Sequence, residues 1–204
     1  MLQLNCTKDK NIRIAFKKFL QNNHKGESNT IILDELGLIK GSTRIDIAVI
    51  NGIMHGYELK SDLDTLLRLP DQMKIYNSIF DKVTLVVGKN HVFEAIKIVP
   101  DWWGIIMAKI NETDRTMIFY NIRECSQNTS KNSYEIVKLL WKKEAIEILK
   151  RLNKAVGVSS KPINVIYDQI VTLLDQNTLS SNVREYLFNR LAWRSLKPHT
   201  LYDG

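Results

Sequence analysis

Residues 42–76 read STRIDIAVINGIMHGYELKSDLDTLLRLPDQMKIY, and their pattern decides the fold. The segment divides at Asn51-Gly52, the dipeptide most typical of a tight hairpin turn, with Ile- and Val-rich sequence before it. Asp46 interrupts the first strand, and Glu58 and Lys60 stand two apart on the second. Because strand side chains alternate, Glu58 and Lys60 project from one face. Gln72 and Tyr76 are four apart on the helix that follows, and so share a helix face.

The turn sets a geometric condition. A simple two-residue loop would pair Ile50 with Ile53, place Asp46 opposite Tyr57, and send the carboxylates of Asp46 and Glu58 to opposite sides of the sheet. A shared site therefore requires a three-residue loop or a bulge, the latter near His55-Gly56, that restores Asp46 opposite Glu58. His55 itself reads as a turn residue.

Outward from this core, Asp9 to Leu20 fits an amphipathic helix with a solvated basic face. Thr30 to Leu33 suits a short strand, followed by a turn with Gly37 and Gly41. Ser61 can cap a helix carrying Asp62 and Asp64 in its first turn, which Pro70 interrupts near Leu69 before it restarts to Phe80. The run 82–87, KVTLVV, suits a strand covered on both faces. His91 to Ile98 reads as helix, and Gly104 to Ile110 and Met117 to Ile122 as two strands joined by a hairpin loop. The predicted class is thus α/β with a mixed sheet flanked by helices over residues 1–125. SQNTSKNS, 126–133, is polar and aperiodic and reads as a linker. A basic, all-helical C-terminal extension fills 134–204, with helices at Tyr134 to Leu152, Ile163 to Leu174 and Ser181 to Leu196. Trp102-Trp103 and Trp141 read as core, and for Trp193 among arginines stacking on a base or on guanidinium groups is the lesser alternative.

A chain of 204 residues that is 44% hydrophobic can bury a substantial core. No run approaches the roughly 20 apolar residues that span a bilayer, and the N-terminal stretch lacks the pattern of a secretory signal, so a cytoplasmic protein without membrane attachment is expected. Cys6 and Cys125 match no metal-ligand spacing and read as reduced thiols. From Lys138 onward there are 11 Lys/Arg against 6 Asp/Glu, so this third holds +5 of the net +7. Carboxylates in one region and basic charge in another suit a protein that holds a cation at one place and a phosphate backbone at another.

The chemistry that fits is phosphodiester hydrolysis, in which a divalent cation activates water and neutralises phosphate charge. Hard oxygen ligands select Mg²⁺ or Mn²⁺. Asp46 and Glu58 would each supply an oxygen and the Leu59 carbonyl a third, while the Lys60 ammonium would orient water or offset developing charge.

These residues resemble the PD-(D/E)XK nuclease superfamily, in particular the branch with archaeal Holliday-junction resolvases and RecB-type nuclease domains. The quoted motif is Asp46, then Glu58-Leu59-Lys60 after a hairpin, then Gln72 and Tyr76. The order of elements over roughly residues 10–110 is similar to that superfamily's core. LLWKKEA at 139–145 and RLAWR at 190–194 resemble the helical C-terminal part of an uncharacterised bacterial family within it.

The resemblance implies a restriction-endonuclease-like fold and an Mg²⁺- or Mn²⁺-dependent deoxyribonuclease. It implies metal binding by Asp46 and Glu58, a catalytic Lys60, and support of the site or substrate contact by Gln72 and Tyr76, with Arg44 beside them. Ile45 stands where the name-giving proline would be. Glu35, in competition with Asp34, is the candidate for the early acidic residue of many members. DNA is the expected partner, gripped by Lys161, Arg184, Arg190 and Arg194, and a homodimer is among the expectations because resolvase-like members form them. The competing expectations are a non-cleaving nucleic-acid or protein-binding module and an RNA-cleaving toxin.

Overall fold

The computed structural model describes residues 6–195, with backbone alone for Lys40 and residues 191–195. The chain divides into two compact units, Met1–Asn132 and Ser133–Gly204. The first is mixed α/β. Helix α1 (Asp9–Asn23) buries Ile12, Phe16 and Leu20, a stripe with a four-residue repeat, against the sheet. Each such side chain withdrawn from water contributes roughly 2 kcal/mol. The Phe16 ring lies 5.2 Å from Tyr57 and 5.1 Å from Phe119.

Strands β1 (Ile31–Leu38), β2 (Thr43–Ile50) and β3 (Met54–Lys60) run antiparallel in sequence. The β2–β3 register is Ile50↔Met54 through Ile47↔Tyr57, so residues 51–53 form a three-residue loop closed by the Asn51 N–H to the Ile53 carbonyl at 3.2 Å. Gly52, at φ 92°, supplies the left-handed residue this loop requires. Continued by one pair, this register would set Asp46 opposite Glu58, but the ladder ends at Ile47↔Tyr57 and the Asp46 side chain turns to the Leu59 N–H and to Arg13 of α1. The slip lies in the loop, and no bulge forms at His55-Gly56. His55 is a strand residue rather than a turn residue.

Helix α2 (Leu69–Ile79) begins with Pro70 in its first turn, where proline loses no hydrogen bond. The helical start expected at Ser61 does not form. Ser61 and Asp64 close on each other through side-chain bonds of 2.6–2.7 Å, and Asp62 accepts from the Thr7 backbone and hydroxyl and from the Asn90 N–H. Local and tertiary acceptors outcompete the helix for these residues.

Strand β4 (Lys82–Gly88) lies parallel to β3 and is buried along nearly its whole length. After α3 (Val92–Ile98), β5 (Gly104–Ile110) adds parallel to β4, and β6 (Met117–Arg123) closes the sheet antiparallel. The six strands stand in chain order.

Residues 126–133 do not behave as a free linker. Asn128 is buried and donates to the carbonyls of Asn77 and Phe80 at 2.7 and 2.9 Å, and Lys131 pairs with buried Asp81. The polar composition that resembles a linker is here a strap, its side chains satisfying the end of α2.

The second unit comprises α4 (Ser133–Val137), α5 (Lys142–Arg151), α6 (Ile163–Leu173) and α7 (Gln176–Ser195). The helix expected over 134–152 breaks between α4 and α5. The Tyr167 hydroxyl donates to the Leu140 carbonyl at 2.6 Å and Arg190 to the Leu139 carbonyl at 2.8 Å, replacing helical partners, while Glu144 accepts the Trp141 N–H at 2.7 Å and starts α5. No helix among the described residues is long and apolar enough to cross a membrane.

Candidate active site

The period of two along β3 separates its side chains into two sets. Tyr57 and Leu59 join the core under α1, while Glu58 and Lys60 face α2. Glu58 and Lys60 are 2% and 7% exposed. Lys60 Nζ lies 2.6 Å from Glu58 Oε1, Gln72 Nε2 donates to the same oxygen at 2.7 Å, and the Tyr76 hydroxyl lies 2.7 Å from Oε2. Sequence placed these four residues in one site, and the fold brings them together.

Tyr76 also lies 2.7 Å from the Arg44 carbonyl. A phenol has one proton and the carbonyl can only accept, so both short contacts are fully satisfied when Glu58 carries a proton. Burial pushes the Glu58 carboxyl above its usual range and the negative charge of Asp46 adds to this, with Lys60 opposing. Burial, followed by Glu58, likewise raises the Tyr76 hydroxyl. Gln72 Oε1 is buried without a partner among the described residues, an acceptor left over inside the cluster.

Asp46 lies just beyond the paired part of β2 and β3. Its Oδ2 accepts the Leu59 N–H at 2.7 Å, so a side chain joins the strands where the ladder ends. N–H and C=O of one strand residue point the same way, which puts the Leu59 carbonyl on the Asp46 side. Asp46 Oδ1 accepts from Arg13 Nη2 at 2.6 Å, and Arg13 Nη1 reaches Glu35 Oε1 at 2.8 Å. Burial depresses the Arg13 pKa, but the hydrogen bond and charge of Asp46 outweigh it and hold it above the ordinary value.

Glu35 reaches this point through an irregularity. Pairing of β1 with β2 passes from Asp34↔Ile47 to Leu36↔Ile45, omitting Glu35 and Asp46, and Glu35 adopts φ 53°. A left-handed glutamate is strained, and such strain tends to gather at functional sites. Asp34 pairs instead with Lys17. By sequence alone Arg13 belongs to the solvated basic face of α1. Its spacing of four from Lys17, matched to the adjacent Asp34-Glu35, is the signal that could have found it.

Among the described residues, no three His, Cys, Asp or Glu side chains stand together as a ready ligand set. The oxygens at hand are nevertheless those that suit a hard divalent cation: two carboxylates, the Leu59 carbonyl and the orphaned Gln72 Oε1. Arg13 is the counterion of Asp46 and Lys60 that of Glu58.

The basic residues named for DNA grip separate in the second unit. Lys161 is exposed and Arg184 half-buried. Arg190 is committed internally, bonded through Nε to Glu144 Oε1 at 2.7 Å and stacked 4.1 Å from the Trp141 ring, because buried Glu144 needs a counterion. The side chains of Trp193 and Arg194 lie outside those described. Trp141, expected in the core, is 58% exposed. Sequence reasoning missed a cavity of about 420 Å³ lined by Lys142, Lys143, Ile146, Glu147, Lys150 and Ser159.

The family described as Bacteriophage P4 protein cII matches residues 3–197. Protein cII of Enterobacteria phage P4 is 28% identical over 186 residues, covering 90% of this chain and 66% of that protein, so the chain spans slightly less than two thirds of its relative's length. A protein of unknown function from Silicibacter pomeroyi has a similar structure at a TM-score of 0.44 and 14% identity, covering 79% of this chain and 99% of that one.

Proposed function

The chain belongs to the Bacteriophage P4 protein cII family, and we propose that this member is a divalent-metal-dependent nuclease with a restriction-endonuclease-like first unit. The observation that carries the reading is the convergence of Lys60, Gln72 and Tyr76 on the buried carboxylate of Glu58, with Asp46 at the adjoining strand end. A buried carboxylate with a raised pKa, a like charge nearby and a lysine on the same strand face is costly to stability and suited to catalysis.

Asp46, Glu58 and the Leu59 carbonyl would hold Mg²⁺ or Mn²⁺, with Glu35 beside them. When bound, such a cation supplies charge neutralisation at the phosphate and acidifies a water. Lys60 orients the attacking water and offsets phosphate charge from its ammonium. Tyr76 and Gln72 fix the Glu58 carboxylate, whose burial excludes bulk water, and the Leu59 N–H fixes Asp46. DNA is the substrate this reading assigns, with the α5 lysines 142, 143 and 150, Lys161 and Arg184 holding its backbone.

One observation favours a second reading, a nucleic-acid-binding module without cleavage. Every carboxylate oxygen of Asp46 and Glu58 already has a protein donor or hydroxyl partner. A cleavage panel separates the two. With Mn²⁺, the full chain should cut at least one of single-stranded, nicked or branched DNA, and Asp46→Ala should not. No cleavage of any DNA form selects the binding module, and cleavage of RNA alone reassigns the substrate.

A further inference from the structure

A second cavity, of about 370 Å³, opens beside the Glu58 cluster and is lined by Ser42, Thr43, Arg44, Arg68, Asp71 and Gln72, among others. Gln72 is the shared wall, since the residue that lines the cavity also donates to Glu58 Oε1 at 2.7 Å. From this juxtaposition we infer that the cavity is a phosphate subsite, with Arg68 and Arg44 holding a nucleic-acid phosphate next to the one being cleaved. The inference deepens the nuclease reading and rests on it for the identity of the neighbouring site.

The charges lining the cavity support this assignment. Arg68 immediately precedes α2, is exposed, and its guanidinium makes no ion pair among the described residues. The Arg44 side chain is 62% exposed, and the Glu35 carboxylate nearest to it stands 4.0 Å away, already held by Arg13 at 2.8 Å. Asp71, the one acidic residue among those lining the cavity, is paired with Lys74 at 2.8 Å and its side chain is 84% exposed. Two guanidinium groups therefore remain available over a concave surface, and a planar fork of donors matches phosphate oxygens two at a time. The volume lies within the range of small-ligand sites and accommodates a phosphate with its sugar.

A terminal phosphomonoester and an internal phosphodiester offer the same oxygens, and one experiment distinguishes them. Protein carrying Asp46→Asn, so that substrate survives, is titrated by fluorescence anisotropy with three oligonucleotides: 5′-phosphorylated, 3′-phosphorylated and unphosphorylated. Adding Arg68→Ala should weaken binding roughly five- to tenfold and reduce the slope of log affinity against log salt by about one. A loss confined to one phosphorylated end identifies a terminal phosphate, and an equal loss on all three an internal one. Arg68→Lys, which keeps the charge on an exposed residue, should retain the salt slope while losing part of the affinity. Unchanged affinity and slope in both Arg68→Ala and Arg44→Ala would overturn the subsite. The readout is binding, so it stands even if the unmutated protein proves unable to cleave.

Discussion

Two polar clusters occupy opposite faces of β3 and differ in kind. On the α1 face, His55 Nδ1 lies 3.0 Å from the Tyr57 hydroxyl and Nε2 lies 2.8 Å from the Thr84 hydroxyl, with Cys125 Sγ at 3.7 Å. Burial pushes this imidazole down to about 3, so the ring is neutral, and each of its nitrogens has a hydroxyl partner. On the α2 face, Glu58 and Lys60 are both buried ionisable groups and Gln72 retains an unmatched oxygen, while Asp46, held by Arg13 of α1, acts on Glu58 as a second negative charge. The first cluster resembles a polar core that has found its partners. The second retains charge conflict and an orphaned acceptor, and this contrast makes it the candidate site.

Replacing Lys60 with Met should break the contrast most. If the α2 face is catalytic, kcat for Mn²⁺-dependent cleavage falls by about 10²–10³, with DNA affinity nearly unchanged. His55→Gln on the other face should leave kcat within about twofold.

The faces should also respond to pH with opposite sign. The His55 pKa is depressed from 6.5 to about 3, so the unfolded chain binds the extra proton, and the stability His55 contributes is lost as pH falls from about 6.5 toward 3. The ceiling is about 5 kcal/mol, read as the difference between parent and His55→Gln in urea melts across that range. The raised pKa of Glu58 acts in reverse, because the folded state holds the proton more tightly. As pH rises above the ordinary carboxyl range, the parent should lose stability relative to Glu58→Gln. A smaller effect is expected from Arg13→Gln, which leaves Asp46 without its strongest donor and should cost about 2 kcal/mol in the same melts.

Much of the first unit was legible because the signals were local. Asn51-Gly52 announced the hairpin, and the period of two put Glu58 and Lys60 on one face. The need for Asp46 to meet Glu58 called for a three-residue loop or a bulge near His55-Gly56, and of the two it is the loop that forms. The misses share one physical cause, partners distant in sequence. Asp62 is held by Thr7 and Asn90 rather than by a helix, and Asn128 turns a polar segment into a strap on α2. The carbonyls of Leu139 and Leu140 are satisfied by Arg190 and Tyr167, which breaks a segment that is periodic in sequence. Arg13 and Arg190 show the same limit from the other side: two bases that resemble solvated surface are tied to Asp46 and Glu144.

The most direct test of the site is calorimetric titration of Mn²⁺ into the parent protein, Asp46→Asn and His55→Gln. One Mn²⁺ should bind to the parent and to His55→Gln, and none to Asp46→Asn. Binding by Asp46→Asn equal to that of the parent, or loss of binding in His55→Gln alone, would contradict it.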